Sequence, residues 1–165
     1  MRTEKKQISA ANALNRAAAL CSRSEQASAD IVKKLRDWGL AESDVAAVME
    51  RLVKEKFVDD GRYAVAFVRD KFRFNGWGRR KIAYALRQKG VAQDLVDEAM
   101  CEIADDDYNA TLRHLLEGKA RSLAGREPRL AKASLLRFAA SRGFEPEVFF
   151  PIVDKLTGTG GDEDW

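Results

Sequence analysis

The residues best equipped for chemistry lie between Arg69 and Lys89. Eight of them are basic (Arg69, Lys71, Arg73, Arg79, Arg80, Lys81, Arg87 and Lys89) and only Asp70 opposes them, a local charge of +7 in a chain whose formal charge is +3. Phe72, Phe74, Trp77 and Tyr84 are interleaved with these cations. Cations among aromatics can hold nucleic acid through phosphate contacts and base stacking. The same charge can dock against an acidic protein groove. A plainer reading places Phe72 and Tyr84 in the core and leaves the arginines to solvate the opposite helical face. Charge on a solvated helix usually alternates in sign, and here it hardly does, which favours a binding surface. Trp77, between Gly76 and Gly78, is either a packing plug at a helix junction or an exposed contact. A second basic stretch runs from Lys119 to Arg142, with seven cations against Glu127.

Other chemistries find little support. The only histidine, His114, sits on the polar side of an amphipathic stretch with no nucleophile near it, so no Ser-His-Asp or Cys-His arrangement forms. Asp59-Asp60 and Asp105-Asp106-Asp107 could suggest a metal-dependent nuclease. Each cluster, however, directly precedes a predicted helix, where carboxylates cap free amides and suit the positive end of the helix dipole. Cys21 and Cys101 lack partners at ligand spacing and read as small buried hydrophobes on helices in a reducing cytoplasm. No signal peptide and no membrane span are expected. The tail from Gly158 to Trp165 lacks the features of a phosphate loop and is expected to be a disordered acidic end. Neither an enzyme, a metal site nor a cofactor is therefore expected.

The elements that must position the basic stretch are helices. Ala and Leu together number forty against twenty for Val, Ile and Thr, in a chain of 165 residues that is 45% hydrophobic. A helix-Gly-apolar-helix unit recurs three times. Ile31, Leu35, Gly39, Leu40 and Val45 mark the first copy; Ile82, Leu86, Gly90, Val91 and Val96 stand at the same spacings in the second. Leu135, Ala139, Gly143, Phe144 and Phe149 form a looser third. In each, the glycine can end a helix in left-handed geometry and the apolar residue after it can close the cap. The following helix is expected to start near Ser43-Asp44, Gln93-Asp94 and Glu145-Pro146, with Val45, Val48, Met49, Leu52 and Val53 as the core face of the first. Longer helices over roughly 10–21, 60–72 and 108–123 precede the pairs. The expectation is an all-α fold, an elongated, curved array of three tandem three-helix repeats over 1–58, 59–104 and 105–157, followed by the tail at 158–165.

Four blocks in order, Phe57-Val58-Asp59-Asp60-Gly61-Arg62-Tyr63-Ala64, Val68-Arg69, Gly76-Trp77-Gly78-Arg79-Arg80-Lys81-Ile82 and Leu86-Arg87-Gln88-Lys89-Gly90-Val91, closely resemble the signature of the RecX family. Ser24 to Leu40 is similar to that family's first repeat, and the third unit is a weaker match. The resemblance implies a bacterial regulator that acts in recombination, DNA repair and the SOS response. It implies binding to the RecA recombinase filament on single-stranded DNA, with suppression of RecA's ATPase, strand-exchange and coprotease activities. Arg69, Lys71, Arg73, Trp77, Arg79, Arg80, Lys81, Arg87 and Lys89 are the candidate contacts to filament and DNA. The expected partners are RecA, single-stranded DNA and also double-stranded DNA, and the protein is expected to be a monomer. The competing reading is a stand-alone helical DNA-binding protein that never touches RecA, although no recognition helix with base-reading side chains stands out.

Overall fold

The computed structural model of this chain describes residues 8–158. Apart from Gly158, the segment expected to be an acidic tail lies outside the described residues. Among those residues the chain forms nine helices and no strand: α1 (Ala10–Arg23), α2 (Ser28–Asp37), α3 (Glu42–Lys54), α4 (Asp60–Arg73), α5 (Arg79–Gln88), α6 (Gln93–Met100), α7 (Asp105–Ser122), α8 (Pro128–Ser141) and α9 (Pro146–Thr157). None of the described helices is long and apolar enough to cross a membrane.

The three repeated glycines do what their spacing predicts. Gly39, Gly90 and Gly143 have φ of 88°, 76° and 91°. The amides of Leu40, Val91 and Phe144 then return to the carbonyls of Leu35, Leu86 and Ala139 at 3.2, 3.1 and 3.1 Å. This left-handed cap satisfies carbonyls that the helix end would otherwise orphan, and the apolar residue following each glycine is buried. The end of α4 uses the same device: Gly76 has φ 63° and the Trp77 amide returns to the Lys71 carbonyl at 3.1 Å.

α6 and α9 start at Gln93 and Pro146, as expected, while other helix starts differ from expectation. α3 begins at Glu42, ahead of Ser43-Asp44, with Ala41 as its cap, and α7, α8 and α9 start without any side-chain cap hydrogen bond. Asp105, Asp106 and Asp107 fall inside the first turn of α7, where they meet the dipole but do not cap it. Asp59 does cap, accepting from the Arg62 amide at 3.0 Å. Asp60 reaches across to α2 and accepts from both the amide and the hydroxyl of Ser28, at 2.8 and 2.7 Å. Val53, expected in the core, is 54% exposed because its neighbour Leu52 takes the inward position. Cys21 is half-buried, and Cys101 lies exposed just beyond the end of α6.

The described residues fall into two compact units, one of residues 8–66 with 86–99, the other of residues 67–85 with 100–158. The first is organised about Ala13, Ala17, Ile31, Leu35, Val45, Val48 and Leu52. In the second, Tyr108, Leu112, Leu116, Leu135, Phe144 and Val153 are among the buried residues.

Within the second unit the loop before α5 lies directly on the α8–α9 corner. The Gly78 amide donates to the Arg142 carbonyl at 2.7 Å and the Arg80 amide to the Gly143 carbonyl at 2.9 Å. A Cβ on Gly78 would stand 2.4 Å from the Gly143 carbonyl group, and one on Gly143 would stand 2.3 Å from the Lys81 Cβ. Backbone meets backbone here, so no side chain can move to make room. Gly125 isolates this effect, since it shares a left-handed φ of 85° but has open space where its Cβ would be. Gly125→Ala should cost about 1 kcal/mol, the conformational penalty alone. Gly143→Ala or Gly78→Ala should cost more than about 3 kcal/mol, as a change that forces packed backbone apart. Equal denaturation midpoints for Gly143→Ala and Gly125→Ala would refute the backbone contact.

Candidate nucleic-acid and protein interface

The basic stretch is held by a buried tyrosine. Tyr108, from the first turn of α7, is 1% exposed. Its ring stacks on Phe72 and tilts against Phe144, with centroids at 6.0 and 5.0 Å. Its hydroxyl accepts from the Arg79 amide at 3.0 Å and donates to Glu145 Oε1. The Arg79 guanidinium lies 3.9 Å from the Tyr108 ring centroid and pairs with Asp105 at 2.7 Å and Glu145 at 3.5 Å. The nearer partner matters less. Asp105 is 88% exposed, and a pair in water is worth little; Glu145, at 20%, keeps its charge largely out of solvent, where an unpaired partner would be costly. Burial pushes the Tyr108 phenol well above its ordinary value, and its hydrogen bond to Glu145 adds to the shift.

The nine candidate contacts separate into three kinds. Arg69, Arg79 and Lys89 are ion-paired: Arg69 places Nε and Nη2 at 3.0 and 2.7 Å from Glu102 Oε2, and Lys89 Nζ stands 3.1 Å from Asp30. Lys71 and Lys81 hold their ammonium groups 4.8 and 4.5 Å from the centroid of Trp77. That ring is half-buried and meets Phe67 edge-on at 6.4 Å. Arg73, Arg80 and Arg87 are exposed, with no side-chain partner among the described residues. Arg69 to Lys81 belong to the second unit and Arg87 and Lys89 to the first. Two aromatics of the stretch are also open to solvent, Phe74 at 83% and Tyr84 at 60%. Tyr84 is therefore not the core residue that the plainer reading would make it.

The amides of Gly78, Arg79 and Arg80 all donate to protein acceptors. An anion approaching the start of α5 would therefore meet side chains, chiefly Arg80 and Lys81, in place of those three amides. Among the described residues no group of three or more His, Cys, Asp or Glu could hold a metal ion. Tyr108, Glu145, Glu102 and Asp30 were not singled out by the sequence as parts of this site. Only their charge or aromaticity could have flagged them, since each acts on a residue 26 or more positions away, as with Arg79 and Tyr108, 29 apart.

Two predictions follow from the geometry. Tyr108→Phe removes one hydrogen bond to a carboxylate and one acceptor for a buried amide, and should cost about 2 kcal/mol at neutral pH. An unfolded tyrosine ionises near 10 while the folded one stays protonated, so this stabilisation is full below pH 10 and declines above it. The gap between native protein and Tyr108→Phe in denaturation midpoint should accordingly narrow as pH rises past 10. Arg79→Ala should likewise destabilise by about 2 kcal/mol, through its aromatic and Glu145 contacts. Arg80→Ala should stay within about 0.5 kcal/mol, as a surface change. Equal unfolding curves for the two arginine variants would undo the division into structural and free cations.

Comparison with known proteins fits this geometry. Residues 59–100 match the family model for the second three-helix domain of RecX. The regulatory protein RecX of Prosthecochloris aestuarii is 32% identical over 146 residues, which cover 87% of this chain and 93% of that protein. The regulatory protein RecX of Clostridium perfringens is 33% identical over 126 residues, covering 75% of this chain but 58% of its own length, so this chain spans well under two thirds of that relative. A crystal structure of RecX from Lactobacillus salivarius superposes with a TM-score of 0.82 at 19% identity, over 89% of this chain and 96% of that one. Another, of a regulatory protein RecX, gives 0.77 at 23% identity, over 88% and 73%. The superpositions establish the all-α helical-repeat fold, and the relationship to the Prosthecochloris protein along almost its whole length establishes that the chain belongs to the RecX family of regulatory proteins.

Proposed function

We propose that this chain regulates RecA by binding its filament on single-stranded DNA and suppressing the ATPase, strand-exchange and coprotease activities of that filament. The observation that carries the reading is the set of cations on the second unit that no acid among the described residues neutralises: Arg73 and Arg80 in solvent, with Lys71 and Lys81 beside Trp77. Phosphates or an acidic protein groove could replace the missing counter-charges. Repeated helical modules suit a polymer of repeating subunits, because several weak contacts made at once bind the assembled filament far more tightly than a single subunit. In this reading the protein acts without catalysis, as a monomer in the cytoplasm, and double-stranded DNA is a weaker partner held through the same cations.

Arg79 is unsuitable for testing this, because its loss would disturb the fold. The paired variant Arg80→Ala, Lys81→Ala leaves the Tyr108 network intact. It should keep native helical content while inhibiting RecA's single-stranded-DNA-dependent ATPase at least about tenfold less effectively, the effect of losing roughly 1.4 kcal/mol of contact. Full inhibition by this variant would remove these two side chains from the interface. Cosedimentation with RecA filaments, beside DNA alone at rising salt, separates the readings. Binding only when RecA is present supports the filament; tight binding to DNA alone with a steep salt slope supports the stand-alone DNA-binding protein.

A further inference from the structure

The end of α4, the loop after it and α7 enclose a cleft of about 530 Å³ whose character is distinct from the Trp77 cluster. Arg73, Phe74, Asn75, Thr111, His114 and Arg142 line it, and among the described residues no carboxylate does. Lys71, Trp77, Arg80 and Lys81 are not among its lining residues. Two guanidiniums without an acid make the cleft a site for an anion. They are differently prepared: Arg73 is exposed with no side-chain partner among the described residues. Arg142 is held by Nη1 donating to the Asn75 carbonyl at 2.8 Å and by its guanidinium lying 5.2 Å from the Phe138 ring centroid. A fixed guanidinium loses less freedom on binding than a mobile one. Phe74 lines the same cleft, and its ring is 83% exposed, the most exposed large hydrophobic side chain among the described residues. It makes no ring contact among the described residues, so its face is open to a planar ligand. The Thr111 hydroxyl and the Asn75 amide add polar groups that can meet the edge of a ring.

Phosphate binding and a free aromatic face in one cleft of this size fit a nucleotide. We propose that the cleft is a single-nucleotide subsite, with a phosphate on the Arg73 and Arg142 guanidiniums and the base stacked on Phe74. The ligand is an unpaired nucleotide, since a base inside a duplex cannot lay its face on a side chain. It belongs either to a single strand or to a free nucleotide. The inference rests on the nucleic-acid part of the reading above and gives that contact a defined place.

The test omits RecA, so its outcome is separate from that of the ATPase assay, which uses Arg80 and Lys81. Fluorescence anisotropy of a labelled short oligothymidylate is measured with the native chain, Phe74→Ala, Phe74→Tyr and Arg73→Gln. Phe74→Ala should weaken binding roughly tenfold, as for loss of one base-aromatic stack, while Phe74→Tyr keeps most of the affinity. Arg73→Gln should lower the salt slope by about one. Competition by thymidine monophosphate and by ATP distinguishes the sources. Displacement only by unlabelled oligothymidylate assigns the subsite to a strand; displacement by the mononucleotides at similar concentration, lost in Phe74→Ala, assigns it to a free nucleotide. The proposal is overturned if none of these ligands binds, if both Ala and Gln variants bind like the native chain, or if a duplex competes as well as the single strand.

Discussion

The second unit depends on how the start of α5 satisfies its backbone. The amides of Gly78, Arg79 and Arg80 would be orphans in an isolated helix, and each finds an acceptor on another element: the Arg142 carbonyl, the Tyr108 hydroxyl and the Gly143 carbonyl. Buried amides left unpaired would cost a few kcal/mol each, so the three bonds together fix the register of α5 on the α8–α9 corner. The remaining features follow from that constraint. Backbone approach this close demands glycine on both sides. Tyr108 must stay protonated and buried, and Glu145 must turn from its own helix start toward the hydroxyl. Arg79 is then drawn over the tyrosine ring, its charge used inside the molecule.

The same constraint changes the meaning of the basic stretch. Counted along the chain, eight cations face one acid. In three dimensions, Glu102 takes Arg69, Asp105 and Glu145 take Arg79, and Asp30 takes Lys89. All four acids lie outside the stretch in sequence, so a local charge sum overstates what a partner would meet. What stays available is a smaller set in which Arg73, Arg80 and Arg87 stand in solvent and Lys71 and Lys81 stand at Trp77. Trp77 itself serves as the apolar closure of the α4 cap, packed on Phe67, and this gives the two ammonium groups a ring on which to rest.

The repeat was legible because its signal is local: a helix that ends in left-handed geometry needs glycine, and the next residue must be apolar to cover the cap. Gly39-Leu40, Gly90-Val91 and Gly143-Phe144 therefore announce themselves within two positions. The block around Asp59 to Ala64 was legible as a pattern but not as a mechanism. Asp59 caps α4, Asp60 holds the first amide of α2, Arg62 pairs with Glu25 at 2.5 Å and donates to the Lys56 and Phe57 carbonyls, and Ala64 is buried. These are structural tasks for residues whose charge suggests contact. The contact of Gly78 with Gly143 and the bond from Tyr108 to Glu145 were not legible, because they span 65 and 37 positions and nothing periodic marks them.

The placement of the free cations also carries an energetic argument. α5 opens with Arg79, Arg80 and Lys81 and has no acid in its first turn. Positive charge at a helix N-terminus opposes the macrodipole, at about 0.3–1 kcal/mol for each exposed residue. Arg79 escapes through Asp105 and Glu145, whereas among the described residues Arg80 has no such carboxylate and Lys81 has only the Trp77 face. An Asp or Glu at either position would strengthen the helix, so the cations there work against local stability. A phosphate or carboxylate from outside would reverse that sign, meeting two side-chain charges and the positive end of the dipole together. The start of α5 is thus less stable alone than it would be against an anionic partner, which is the contact proposed for it.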